Sequence, residues 1–417
     1  MKFTKYLKRK TLKDTFDNKL QYSYTLGSDG ISTNKFSEII DEEITIIKRK
    51  VKNQTYNISP YKEQLIVKNR TSNPRMISIP TNRDKLALSA LQKFLAEEFK
   101  GKVSNDNVNE KIHKIKQEIQ SQKYDSFIKL DIKSFYPNID HKILLDKVKK
   151  QVTDEEAIYL LEKALTQVTI EKGRRADKKN NIGTKGVPQG LSISNILSSI
   201  YLMDLDTKYS KKTNLEYYRF VDDILILCDC NDIETIKSSI CIDTKELLLD
   251  VHEFKDNSDK STSGTIYKDK FQFLGFEFYE NIITVREQSA DMLRDRIVSV
   301  FYSNAGKSDY DLYKELNLKI SGCIYNNKQY GWMQFFRQID DQTLLYSLDS
   351  FVKNQFNRFN RKYKESTIKK FTKTYFLLKD YDADKLNKNT YIPKFGTDIN
   401  KEMRILIQKT MDDVEFY

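Results

Sequence analysis

Three aspartates stand where carboxylates are costly. Asp131 closes the apolar run in FIKLDIKSFY, and Asp222 and Asp223 interrupt YRFVDDILIL, with β-branched and aromatic residues on both sides. An acidic pair inside a buried hairpin needs something to neutralise it, although Asp-Asp at a solvated hairpin tip is also common. If a neighbouring strand delivers Asp131 to the same edge, the three carboxylates and the backbone carbonyl of Ile132 form a hard-oxygen donor set. Such a set suits two Mg²⁺ ions, with Mn²⁺ as a substitute. Two ions of this kind can activate an attacking 3′-hydroxyl and stabilise leaving pyrophosphate, which is phosphoryl transfer by clamping rather than by covalent catalysis.

Between the acidic points lies TKGVPQGLSISNILSSIYLMDLD. Gly186 and Gly190 frame Pro188 and Gln189 in a tight turn, and Leu191, Ser194, Leu197 and Ile200 then follow along a helix. As plain structure this is a loop entering a buried helix. As a site, glycine lets backbone approach a base pair, Gln189 supplies an amide, and the small Ser194 leaves room for a nucleotide.

The elements that must position these residues are legible from periodicity. Phe36, Ile39, Ile40, Ile44 and Ile47 predict a helix over 36–52, and 84–99 reads as a second. The stretch EQLIVKNRTSNPRMISIP between them predicts a hairpin turning at Thr71 to Pro74. A polar helix is expected at 105–123, a strand from Ser126 to Ile132, helices over about 140–170, a polar loop at 173–186 and a helix from near Gly190. A strand pair around Val221 to Asp223, a helix over about 232–248 and two strands over 271–286 complete a β, α, β, β, α, β order, that of a split βαβ sheet. From 290 onward the pattern is helical and basic.

The 417 residues carry 71 Lys+Arg against 59 Asp+Glu, a net +12, with 39% hydrophobic and 12% aromatic residues. That is enough apolar material to exclude wholesale disorder. The basic excess calls for an anionic partner, and Lys and Arg interleaved with 25 Tyr and 23 Phe suit a nucleic-acid groove; a Lys-rich solvated face is the plainer alternative. Cys228, Cys230, Cys241 and Cys323, with only His113, His141 and His252 to join them, have neither disulfide-scaffold density nor zinc-ligand spacing. With no apolar segment of membrane-span length, a soluble cytoplasmic protein without membrane contact is expected.

KLDIKSFYPNI, GVPQGLSISNILSSIYL and FVDDILIL resemble the palm motifs of reverse transcriptases, in order and with matching gaps. GSDGIS (27–32) and IVKNRTSNPRMISIPTNRDKLAL (66–88) resemble the fingers of group II intron and other bacterial reverse transcriptases. LDVHEFK (249–255) and FQFLGFEF (271–278) are similar to the two later palm motifs. The likeness covers roughly residues 20–290. It implies an α+β right-hand polymerase: fingers, a palm with an antiparallel split βαβ sheet, and an α-helical thumb. The expected division is 1–124 for an N-terminal extension and fingers, 125–288 for the palm with embedded fingers helices over about 140–185, 289–375 for the thumb and 376–417 for a C-terminal extension.

Residue by residue, the resemblance implies metal binding by Asp131, Ile132, Asp222 and Asp223. Lys68 and Arg75 would grip the incoming triphosphate, Tyr136 would exclude a 2′-hydroxyl, and Gln189 would line the templating pair. Lys255 matches the lysine that protonates departing pyrophosphate, with Asp256 following where Thr is common; Phe220 replaces a more usual Tyr. Gly190, Ser194 and Gly275 would meet the template-primer, joined by Trp332, the single tryptophan, in a tail similar to a group II intron thumb. The implied partners are deoxynucleoside triphosphates, a structured noncoding RNA template and a DNA product, and self-association is left open. The activity expected is RNA-directed DNA synthesis in antiphage defence. A maturase or RNA-binding protein, a retron-type enzyme making multicopy single-stranded DNA, and an RNA-dependent RNA polymerase are the alternatives.

Overall fold

The computed structural model describes residues 2–23, 25–66, 74–104, 107–171, 183–256, 258–379, 389–396 and 399–412. Met1–Asn105, Asp131–Asp222 and Glu234–His252 make one compact unit; Asp106–Leu130, Asp223–Ile233 and Glu253–Tyr417 make the other. The chain passes between the units at Asn105/Asp106, Leu130/Asp131, Asp222/Asp223, Ile233/Glu234 and His252/Glu253. The secondary structure is α+β, many helices with small, separate sheets.

In the first unit, strands Tyr61–Ile66 and Arg75–Ile79 pair antiparallel, with Lys62 opposite Ile79 and Ile66 opposite Arg75, and Thr169–Ile170 adds in parallel. The following helix, Asn82–Glu98, starts at Thr81, whose hydroxyl accepts the Asp84 N–H, a cap that contributes about 1 kcal/mol. The Asp84 carboxylate accepts from the Tyr56 hydroxyl at 2.8 Å and the Ser59 N–H at 3.1 Å, which offset part of the burial that raises its pKa. Leu86, Leu88, Leu91, Phe94 and Leu95 fill the core beneath.

The helix expected over 36–52 is two, Thr33–Glu38 and Ile40–Lys52, because Ile39 leaves helical geometry at φ −111° and ψ 10°. The stretch 140–170 likewise divides into His141–Gln151 and Glu155–Thr166, each opened by an aspartate cap, Asp140 and Asp154. The second cap is the reason for the break, since its carboxylate takes the Ala157 N–H in competition with a continuous ladder. Helix Ser194–Ser210 buries Ile196, Leu197, Ile200, Tyr201, Leu202 and Leu205 around most of its circumference, which marks a central helix.

Lys85 supplies a pH-dependent element of this unit. Its ammonium donates to the Thr25 carbonyl at 2.8 Å and the Ser23 hydroxyl at 3.2 Å, and burial lowers its pKa to about 8. A lysine depressed in the folded state binds fewer protons folded than unfolded between that pKa and its ordinary one, so its contribution to stability rises across that window. Denaturant titrations from pH 8 to pH 10.5 are expected to show wild-type stability climbing more than that of Lys85→Met. Parallel curves would refute this.

In the second unit, Asp223–Cys228, Ser126–Asp131 (as far as Leu130) and Thr262–Thr265 lie side by side in that order, with Ser126 opposite Thr265 and Lys129 opposite Thr262. The closing strand is therefore Thr262–Thr265 and not the first of the expected pair at 271–286. TSGT has no apolar alternation to announce it; Asp269, accepting the Thr265 N–H at 2.8 Å, ends it. Residues 271–285 instead form a separate meander of Phe271–Phe273, Phe276–Tyr279 and Ile282–Val285. It is joined by stacked rings, Phe127 on Phe271 at 4.2 Å and Phe271 on Phe278 at 4.8 Å.

Helices Glu287–Ser303, Asp309–Ser321, Gln342–Arg358 and Phe371–Lys379 follow. A hairpin, Cys323–Tyr325 with Lys328–Tyr330, interrupts them, and Lys394–Phe395 pairs with its first strand in parallel. No helix among the described residues is long and apolar enough to cross a membrane.

Candidate functional site

In the first unit, three chain segments are laced together by their backbones. The Ile132 N–H donates to the Asp222 carbonyl at 3.3 Å, the Lys133 N–H to the Asp250 carbonyl at 2.7 Å, and the His252 N–H to the Asp131 carbonyl at 3.0 Å. An antiparallel bridge pairs Ile132 with Val251. Asp131 and Asp222, 91 positions apart in sequence, therefore sit on hydrogen-bonded neighbours, both side chains partly open to solvent. Asp223 is covalently next, opening its strand in the second unit with Lys129 Nζ at 3.9 Å.

The turn carrying Asp222 is held open. Val221 has φ +57°, a left-handed conformation that a β-branched residue adopts only when its surroundings impose it. The imposing group is Arg219, whose Nη1 donates to the Val221 carbonyl at 2.8 Å while its Nε donates to Asp206 Oδ1 at 2.6 Å. Its Nη2 donates to the other Asp206 oxygen, and the Tyr217 hydroxyl donates to Asp206 at 2.9 Å. Arg219 is buried, and its hydrogen bonds and ion pair with Asp206 outweigh the cost of desolvation and raise its pKa. Sequence reasoning missed this trio. An arginine in the aromatic stretch YYRF, following a helical stretch that carries Asp206 in LMDLD, was the available signal.

The GVPQG loop is strapped onto the segment after Asp131. The Val187 N–H donates to the Tyr136 carbonyl at 2.9 Å, the Gly186 N–H to the Ile139 carbonyl at 2.8 Å, and the His141 ring bonds the Gly186 carbonyl at 2.7 Å. Its far end is stitched to the hairpin, where the Ser78 N–H donates to the Gln189 carbonyl at 2.7 Å. Gly190 follows at φ +97°, where a Cβ would lie 2.5 Å from Ile77 Cγ2, so only glycine allows this approach. These contacts gather Gln189, Tyr136 and the hairpin strand that begins with the exposed Arg75. The Tyr136 hydroxyl donates to Asn195 Oδ1 at 2.8 Å; burial raises its pKa, and the Asp222 charge adds to that rise. Lys68 lies outside the described residues.

Of the other expected positions, Lys255, Gly275 and Trp332 belong to the second unit and Ser194 to the first. Lys255 is exposed, 3.6 Å from Glu253. Gly275 has φ +82° after Leu274 at +54°, the paired positive values of a two-residue hairpin turn. Ser194 is buried and its hydroxyl donates to the Pro188 carbonyl at 2.7 Å, so it braces the turn. Trp332 is fully buried, packed on Phe336 at 4.8 Å and Phe371 at 5.9 Å, as a core ring is.

For a hard cation, the donor chemistry fits: carboxylates on hydrogen-bonded neighbouring segments, with Asp223 next in the chain. Among the described residues, no group of three or more His, Cys, Asp or Glu side chains converges closely enough to hold an ion.

Comparison with known proteins adds five findings. The group II intron-encoded protein LtrA of Lactococcus lactis subsp. cremoris is 27% identical over 187 residues, 43% of this chain and 29% of that protein. Protein YkfC of Escherichia coli (strain K12) is 24% identical over 196 residues, 44% of this chain and 50% of its own length. The matches thus span half or less of these relatives. Among solved structures, a Candida albicans telomerase in complex with a telomeric RNA fragment has a TM-score of 0.45 at 14% identity, covering 92% of this chain and 67% of that one. An apo telomerase from Candida tropicalis, truncated of its C-terminal domain, has a TM-score of 0.42 at 16% identity, covering 63% of each. The model of the family described as reverse transcriptase (RNA-dependent DNA polymerase) matches residues 66–278, just over half of the chain. The chain, with its aspartates at 131, 222 and 223 inside the matched span, belongs to the reverse transcriptase family.

Proposed function

We propose that this chain is an RNA-directed DNA polymerase whose chemistry is centred on Asp131, Asp222 and Asp223. The observation that carries the reading is the hydrogen bond from the Ile132 N–H to the Asp222 carbonyl, which registers two acidic segments side by side. The family match supports it. Two Mg²⁺ ions, or Mn²⁺ in their place, would supply charge stabilisation for an in-line attack on the α-phosphate when bound by these carboxylates and the Ile132 carbonyl. Arg75 and Lys68 would meet the triphosphate, Gln189 the templating pair, and Lys255 would hand a proton to the departing pyrophosphate. In this reading, the hairpin at 61–79 belongs to the fingers, the Asp131 and Asp222 segments to the palm, and the helices after 289 to the thumb.

The test is primer extension by the full chain on an RNA template, with deoxynucleotides and ribonucleotides supplied separately, with and without EDTA. Deoxynucleotide incorporation that EDTA stops and Mg²⁺ restores is the expected result. Preferential ribonucleotide incorporation would overturn the assignment in favour of an RNA polymerase. RNA binding without synthesis would favour an intron-type maturase.

Tyr136 carries a sharper expectation. Its ring is fixed through Asn195 within reach of the Asp222 charge. Tyr136→Ala would remove the wall against a 2′-hydroxyl and relax discrimination against ribonucleotides by about 10- to 100-fold, the effect of one steric contact. An unchanged ratio of ribonucleotide to deoxynucleotide incorporation would assign the ring to core packing alone.

For the biological role, a structured noncoding RNA as dedicated template in antiphage defence is the reading we favour. Sequencing the RNA and DNA that copurify with the wild type and with Asp222→Asn checks it. A single cDNA tied to one RNA supports it; random cellular RNA refutes it.

A further inference from the structure

Wholly within the second unit, a cavity of about 490 Å³ opens between one face of helix Val108–Ser121 and the segments around 337–339 and 378–379. Its size falls in the range of small-molecule sites, about 300–1,000 Å³. Lys116, Arg337 and Lys379 line it against a single acidic lining residue, Glu110. These cations are held in place. Lys116 Nζ sits 2.5 Å from Asp340, Arg337 Nη1 donates to Gln329 at 2.9 Å, and Lys379 Nζ donates to the Tyr375 hydroxyl at 2.8 Å.

The rest of the lining is unlike a bare anion site. His113, Gln117 and Gln120 follow one another on one helix face at i, i+4 and i+7, while Ile112, Ile115 and Ile119 bury the other. Packing of the helix therefore does not call for these polar residues. Asn109, also in the lining, gives its Nδ2 to the Gln334 carbonyl at 3.1 Å, but its solvent-shielded Oδ1 has no hydrogen-bond partner. Buried acceptors are normally satisfied, and this one is an exception. Ile339 and Leu378, both almost fully buried, contribute an apolar wall.

We propose that this cavity binds a phosphorylated nucleoside, separately from the polymerase centre. Phosphate oxygens suit the cations. Carboxamides carry a donor and an acceptor each, which pair with a base edge, whereas their carbonyl oxygens repel a second anionic group. An apolar wall with an imidazole beside it suits a base plane. A bare phosphate leaves the amides and wall unused, and an acidic peptide meets the carbonyls with like charge.

Free nucleotide and the unpaired nucleotide of an RNA strand share this chemistry. The experiment is equilibrium dialysis of each ribonucleoside 5′-monophosphate against the full chain in EDTA, which silences metal-dependent binding at the aspartates, with inorganic phosphate in parallel. Saturable binding of a nucleotide, weakened about tenfold or more in His113→Ala/Gln117→Ala, is expected. No binding, binding unchanged in the variant, or phosphate binding as tightly as nucleotide would each overturn it. Displacement of the nucleotide by a single-stranded RNA identifies a strand as the natural source; failure to displace it identifies the free nucleotide. Primer extension by the same variant is expected at the wild-type rate, so this proposal and the polymerase reading stand or fall separately.

Discussion

Asp222→Asn is expected to lower deoxynucleotide incorporation about a thousandfold, since a lost ligand charge forfeits several kcal/mol of transition-state stabilisation and each ~1.4 kcal/mol is tenfold. The fold should survive. The link that registers the two acidic segments runs from the Ile132 N–H to the backbone carbonyl of Asp222, which the substitution leaves in place. The side chain is partly solvent-exposed and asparagine has nearly its shape. Asp223→Asn should behave differently, because Lys129, almost fully buried and 3.9 Å from Asp223, would keep its charge while losing an opposing one. Primer extension beside thermal melting separates the two cases. Asp222→Asn synthesising within about tenfold of wild type, with an unchanged melting curve, would remove this carboxylate from the chemistry.

What could be read in advance follows from where the information resides. Strand Ser126–Asp131 was legible because five of its six residues are fully buried and it reads as an apolar run. The polar strand Thr262–Thr265 was not, since pairing with the Ser126–Lys129 stretch, rather than its own side chains, makes it a strand. The stitch between Ser78 and Gln189 is invisible for a related reason: backbone groups from distant segments make it, and every residue type carries those groups. Its one trace is Gly190, which a contact with Ile77 requires and which the sequence does not distinguish from an ordinary turn glycine. Trp332 shows a different limit. An aromatic in a basic helical tail serves a nucleic-acid groove or a core equally well, and only burial decides.

The pair Asp206 and Arg219 ties stability to the site. Asp206→Ala would leave a buried guanidinium without its carboxylate, at a cost of about 3–5 kcal/mol. It would also free the group that holds Val221 at φ +57°, a conformation whose strain is on the order of 1–3 kcal/mol and persists only while its surroundings impose it. Once Val221 relaxes, Asp222 turns away from Asp131, so synthesis should fall further than the loss of folded protein explains. The double variant Asp206→Leu/Arg219→Met distinguishes positioning from simple structural support. Removing both charges should recover most of the stability, since apolar replacement of a buried ion pair is often neutral or better. The Val221 carbonyl would still lack its donor, so urea titration should show a restored midpoint while primer extension stays low. Recovery of synthesis together with stability would show that the pair supports the fold and does not aim Asp222.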